Sequence, residues 1–338
     1  MPTHLHLAYL QTPSAFSHAP HWIKGTTMSN TAMPASEYEQ PKRSWYKRNE
    51  IAVTPILFLL PGVFFFAVYV IYPVFQSFNI SLYKWDGLGE AEFIGLTNYQ
   101  KLFEDRAFET SLWNNLKWLV LYLLAIPVGL FISLFLNQKV TGIRLYKSLF
   151  FFPFVISQIV VGLVFSWFYD PTFGIFTKMI GLVGLEIKGG VLGNPTAVTY
   201  GIIAAGLWPQ TAYCMILYLT GLNSVDPEQV EAARLDGAKG WKMLWYVIIP
   251  QLKPATFIAF VVTIVGALRS FDLISIMTRG GPFGQSRVLS YYMFEKALSE
   301  YGFRMGYGAA IAVVLFMIML VFIAYFLWSM YQEEKGAH

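Results

Sequence analysis

The chain has 338 residues, of which 56% are apolar and only 13% are charged. A soluble domain carries about 25% charged residues, so two or three water-coated domains of this length are excluded, as is a disordered chain. A single cysteine, Cys214, excludes a disulfide scaffold, and a lipid bilayer is the solvent that remains.

In chain order, residues 1–49 come first: a polar tail holding His4, His6, His18 and His21, expected to be disordered. It lacks the basic-then-apolar order of a signal peptide, and Met28 stands beside Met1 as an alternative start. The fifth histidine is His338, so imidazole chemistry is absent from the apolar region. Residues 50–332 read as one membrane domain and 333–338 as a short tail. Runs free of Asp, Glu, Lys and Arg cover 51–83, 118–138, 148–169, 189–225 and 305–332, and 254–278 is interrupted only by Arg269 and Asp272. About 20 apolar residues cross the hydrocarbon as a helix, and none of these runs alternates as barrel strands do. The expectation is an all-α polytopic protein with six transmembrane helices. Pro55, Pro61, Pro73, Pro127 and Pro153 are sites where those helices can kink.

Orientation follows from the Lys and Arg residues near the ends of the spans. Placing the N-terminus in the cytoplasm puts the whole formal net charge of +4 on the cytoplasmic face and none outside. Both termini are therefore expected to be cytoplasmic. The pI near 8.9 then reflects topology and gives no sign of a nucleic-acid partner.

The connection at 223–254 has unusual content. Asp226 is placed as an N-cap, Pro227 at the first helical position, and Gln229 where it completes a capping box. Gly237 is placed to end the helix in a left-handed conformation. A second short helix over 241–249 is expected to stop at Pro250. Between spans, 79–115 reads as an outer segment, and it contains the stretch Phe93 to Tyr99.

Glu231-Ala232-Ala233, then Asp236-Gly237-Ala238, then Ile249-Pro250, resemble the EAA loop of permease subunits in bacterial binding-protein-dependent ABC importers. The Phe93–Tyr99 stretch, the run Thr278-Arg279-Gly280-Gly281-Pro282 after Asp272, and the six-span layout support the resemblance over about residues 50–332. Its carbohydrate-uptake branch, with the maltose and glycerol-phosphate types, is the nearest in pattern. The resemblance implies a type I importer permease fold in the bacterial inner membrane. Glu231, Ala232, Ala233, Asp236 and Gly237 would then dock on an ABC ATPase and carry its motion to the spans. It further implies a second homologous permease, two ATPase copies that bind the ATP and magnesium, a periplasmic or lipid-anchored sugar-binding protein, and a sugar substrate. No phosphate loop of the form G-x-x-x-x-G-K-[ST] occurs in the chain, so no catalytic role, cofactor or metal is assigned to it.

Sugar passage needs aromatic faces and hydrogen-bonding groups in a pocket of mixed polarity. The pathway candidates are Trp208, Gln210 and Tyr213 in the fourth span, and Thr263, Arg269, Ser270 and Asp272 in the fifth. By the resemblance, Gln210, Tyr213, Thr263, Gly266, Ala267 and Ser270 match sugar-contacting positions. Arg269 and Asp272 are three residues apart, and a self-neutralising helix pair is the simpler expectation for them. An Arg269 facing the pathway would instead suit an anionic sugar. The alternative class is a secondary, ion-gradient-driven solute transporter, which calls for intramembrane carboxylates or histidines, and only Asp272 is available.

Overall fold

Continuous apolar sequence can span a bilayer only if each backbone N–H and C=O is paired within its own segment, and the helix does this. The computed structural model describes residues 45–138, 141–299 and 303–336, and among them it is nearly all helical. Most of the expected N-terminal tail, residues 1–44, lies outside the described residues; a helix begins at Trp45. The last helix runs through 333–336 instead of ending at 332.

The chain divides into two units, one ending at Phe64 and one running from Phe65 to the C-terminus. The first contains most of the helix Trp45–Phe66, which carries Pro55 and Pro61 without ending at either. Five helices are long and apolar enough to cross a membrane: Val53–Ile80, Arg106–Leu136, Val198–Asn223, Lys253–Met277 and Met305–Gln332. They are the first, second, fourth, fifth and sixth spans. The third predicted span is a pair, Ile143–Val155 and Gln158–Phe168, bent by 99° at Ile156 and Ser157. Pro153 marks a weakened helix just ahead of the bend.

Three further differences from expectation concern boundaries. The second span starts at Arg106, twelve residues before its charge-free run, because the Asp105 carboxylate caps the helix through the Ala107 amide at 2.8 Å. Residues 97–104 form their own helix, so the expected outer segment is structured at both ends. The fifth span is interrupted: one helix closes at Leu268 and the next opens at Asp272.

The second unit packs in three apolar clusters. One gathers Trp118, Ile202 and Ile274; a second, Phe108, Tyr292 and Ile311; a third, Ala125, Tyr218 and Leu252. The fourth span is the central element, since half of its most apolar stretch is buried. Within it Cys214 packs against Gly129 of the second span, where an added Cβ would stand 2.7 Å from the cysteine Cβ. Small residues let apolar helices approach this closely in lipid.

Candidate translocation cavity and coupling loop

The loop between the fourth and fifth spans folds as its sequence dictates. The helix is Pro227–Leu235; the Asp226 carboxylate accepts from the Glu228 amide at 2.9 Å, and Pro227 occupies the first helical position. At the other end Gly237 has φ +85°, its N–H donates to Arg234 O at 3.1 Å, and the Ala238 N–H donates to Ala233 O at 2.9 Å. That pair of bonds is the Schellman motif. The reciprocal half of the capping box is made by another residue than expected. The Asp226 N–H donates to Gln251 Oε1 at 2.9 Å, so the partner comes from just before the fifth span and Gln229 is left exposed. Nor does Pro250 stop the following helix. Residues 244–248 widen into a π turn, and the chain continues helically from Ile249 through Pro250 to Gln251. A wider turn spares the proline ring the carbonyl it would otherwise strike. Glu231, Ala232, Asp236 and Gly237 are exposed, Ala233 is half-buried, and Leu235 is 89% exposed.

The pathway candidates separate onto different walls. Gln210, Arg269, Ser270 and Asp272 line one cavity of about 530 Å³, together with Trp118 and Gln158; this is an ordinary size for a small-molecule site. Thr263 lies behind that wall, fully buried, accepting from Gln210 Nε2 at 2.9 Å. It ties the fourth span to the fifth. Trp208 stands about 200° around the helix from Gln210, in an apolar groove with Leu149, Phe150 and Pro153, its ring 5.8 Å from Phe165. Tyr213 packs on Phe154 at 5.2 Å. Both aromatics therefore face the bent pair.

Arg269 and Asp272 do not form the expected helix pair. Two non-helical residues separate them from any shared turn, both side chains are exposed at the cavity, and no ion pair joins them among the described residues. The break is held open from outside. Ser290 Oγ donates to the Ser270 carbonyl, and the Phe271 ring packs on Phe294 at 5.2 Å.

Polar residues outside the charge-free runs, which sequence reasoning passed over, fasten the other connections. Asn98, inside the Phe93–Tyr99 stretch, donates to Ser81 O at 2.8 Å and Tyr83 O at 2.9 Å. Those atoms belong to the start of a hairpin, β1 (Tyr83–Lys84) paired with β2 (Glu92–Phe93). Asn114 donates to the carbonyls of Gln285 at 2.6 Å and Arg287 at 2.8 Å, fixing the turn that follows Gly280-Gly281-Pro282. Asp105 accepts from Tyr292 and, at 2.8 Å, from Tyr307. Burial pushes the Asp105 carboxyl up, but the two tyrosine hydroxyls, the Ala107 amide and the Lys296 charge outweigh it and hold the group below its ordinary 3.8.

A carboxyl depressed in the folded state stabilises that state above its unfolded value, and the contribution is lost as pH falls through the folded one. Thermal unfolding of the detergent-purified protein should therefore show a constant advantage over Asp105→Asn above about pH 5. The advantage should shrink below pH 3.8. A difference that does not change with pH would assign Asp105 a purely packing role.

Among the described residues no group of three or more His, Cys, Asp or Glu side chains is placed to hold a metal ion. Apolar spans around a cavity of mixed polarity, with a doubly capped exposed helix in one connection, are the arrangement of a membrane transport permease. The chain belongs to the family of binding-protein-dependent transport system inner membrane components, whose model matches residues 125–332. It is 37% identical over 287 residues to a probable ABC transporter permease protein of Pyrococcus horikoshii, covering 83% of this chain and 97% of that one. It is 30% identical over 296 residues to the alpha-glucoside transport system permease protein AglF of Rhizobium meliloti, covering 85% of each. A chain of the bacterial alginate ABC transporter, solved in complex with an alginate pentasaccharide-bound periplasmic protein, superposes with a TM-score of 0.70. That match has 20% identity and covers 83% of this chain and 95% of the other. The expected fold, that of an ABC importer permease in the inner membrane, is thereby established.

Proposed function

We propose that the chain is the translocating permease subunit of an ATP-driven carbohydrate importer working by alternating access. The observation that carries this reading is the helix Pro227–Leu235, rigid by its caps and exposed along Glu231, Ala232, Asp236 and Gly237. A short stiff helix joined at both ends to spans is a lever, and its small residues allow close docking in an ATPase cleft. Gln251 couples the lever to the fifth span, whose break at 269–271 borders the cavity. Motion at the ATPase thus reaches the cavity through one hydrogen-bonded joint.

The partners are a second homologous permease, two ATPase copies holding ATP and magnesium, and a periplasmic or lipid-anchored sugar-binding protein. Both termini and the 223–254 loop face the cytoplasm, in keeping with the placement of the Lys and Arg residues. The alpha-glucoside relative and the alginate transporter support a carbohydrate cargo. One cation, Arg269, and one anion, Asp272, face the cavity without pairing to each other, an arrangement that suits a hydroxyl-rich solute of low net charge. The deciding experiment reconstitutes all subunits in proteoliposomes and follows radiolabelled sugar uptake. Uptake should require ATP and the binding protein; uptake driven by an ion gradient without ATP would overturn the reading.

A further inference from the structure

The connection at 223–254 changes chemical character at Gly237. Ahead of it, the capped helix and its last turn carry Glu228, Glu231 and Asp236 against Arg234. Beyond it, from Ala238 to Arg269, the sequence holds no acidic residue, and Lys239, Lys242 and Lys253 are all exposed. Within this basic stretch exposure alternates by pairs. Trp241 and Lys242 are exposed, Met243 and Leu244 turn inward, Trp245 and Tyr246 are exposed again, and Val247 and Ile248 are half-buried. The π turn at 244–248 accounts for the rhythm, because an i→i+5 repeat sets Trp245 and Tyr246 on the face of Trp241 and Lys242. The inward side is occupied, since Ile248 packs against the cluster of Ala125, Tyr218 and Leu252.

The outward side is not. Trp241 is 71% exposed, Trp245 58% and Tyr246 80%, and among the described residues none of the three lysines is ion-paired. Indole and phenol rings beside lysines suit a membrane interface, where the ring bodies reach the acyl boundary and the ammonium groups meet the headgroups. The position in the chain fits. Tyr246 stands seven residues and Trp245 eight before Lys253, which opens the fifth span, so both lie within about 12 Å of the span entrance along a helix. A protein cleft that accepts Glu228 and Glu231 has the wrong sign for Lys239 and Lys242, whereas the anionic lipids of a cytoplasmic leaflet attract them.

We propose that residues 239–253 are a docking surface for anionic phospholipid headgroups of the cytoplasmic leaflet. Trp241, Trp245 and Tyr246 enter the interface, and Lys239 and Lys242 meet the phosphates. The inference goes beyond the importer reading and rests on it only for the cytoplasmic placement of this loop. The loop is then held between two partners, its acidic helix on the ATPase and its basic segment on the bilayer. Gln251, which accepts from the Asp226 N–H, joins the two parts, so the lever pivots on lipid.

The test uses the full importer in nanodiscs of equimolar phosphatidylglycerol and phosphatidylcholine, with Tyr246 replaced by the photoreactive residue benzoylphenylalanine. Tyr246, Lys239 and Lys242 are all exposed, so substitution there leaves the packing of the permease intact. Irradiation should capture lipid. Mass spectrometry of the adducts should show phosphatidylglycerol enriched over phosphatidylcholine by about fivefold for each engaged lysine. Lys239→Gln combined with Lys242→Gln should bring the two lipids to parity while lipid capture continues, and salt at about 0.5 M should shrink the enrichment in the protein that keeps both lysines. Capture of the ATPase in place of lipid overturns the proposal. So does the absence of any lipid adduct, and so does parity of the two lipids with both lysines present. The same photoreactive residue at Leu235 separates this failure from that of the importer reading. It should capture the ATPase; if it does not, the coupling role of the loop helix fails, and the lipid result at Tyr246 is decided independently.

Discussion

Leu235→Glu should leave the permease folded and strip it of its ATPase. Leu235 ends the helix Pro227–Leu235 and is 89% exposed, so glutamate costs the isolated subunit almost nothing in packing. In the complex the same position is expected to be desolvated, and a carboxylate there has no partner among the neighbouring Asp236 and Glu231. Central apolar anchors of docked surfaces contribute about 2 kcal/mol or more, so ATPase affinity should fall about thirtyfold or further. Sugar uptake should fall with it. The measurement is co-purification of the ATPase alongside thermal unfolding of the permease. An intact, transporting complex would remove the loop helix from the coupling role.

Gly237 supplies the companion case at the same site. At φ +85° a β-branched side chain costs about 1–2 kcal/mol and an asparagine less. Gly237→Val should loosen the Schellman bonds to Ala233 and Arg234 and reduce transport, while Gly237→Asn should retain most of it. Nothing lies within 4 Å of the Cβ position, so the contrast isolates backbone conformation from crowding.

This loop is also where the sequence was most legible. Each signal in it acts over three or four residues: an Asx cap, a proline that needs no N–H, a glycine that tolerates αL. Local chemistry therefore determines most of the local structure; the long-range partner, Gln251 in place of Gln229, escaped it, and so did the π turn that carries the helix past Pro250. The span count was legible for a related reason, since lipid penalises charge wherever it falls. The same rule misplaced the start of the second span. Arg106 and Glu109 look like loop residues until Asp105 caps the helix and tyrosines from a distant segment pair with the carboxylate. The 99° bend was marked only by Pro153, two residues before the helix ends, because a proline weakens a helix without fixing its direction. Cavity walls were least legible. Trp208 and Gln210 are neighbours in sequence and face opposite sides, and no local pattern says which side the other spans leave open. The break at 269–271 depends on Ser290 and Phe294, about twenty residues away in the chain.

The hairpin between the first and second spans is closed against the sixth by a glycine, and its replacement should be the most disruptive small change in the protein. A Cβ built on Gly306 would stand 1.8 Å from the Tyr83 carbonyl oxygen, a backbone atom in β1 that cannot rotate away. The Gly306 N–H donates to Trp85 O at 3.2 Å, and Asn98 Nδ2 donates to Tyr83 O at 2.9 Å from another side. Gly306→Ala must therefore push the strand off the helix and break both bonds together. Overpacking costs about 1–3 kcal/mol, and the two lost hydrogen bonds add about 1 kcal/mol each. Gly181→Ala, in a helix where the Cβ meets nothing within 4 Å, should be neutral or slightly stabilising. Thermal unfolding in detergent distinguishes the two substitutions. The origin of the loss is visible in a double-mutant cycle with Asn98→Ala. Because both changes release the same carbonyl, their costs should fall well short of adding, whereas full additivity would mean that Gly306 and Asn98 hold the hairpin independently.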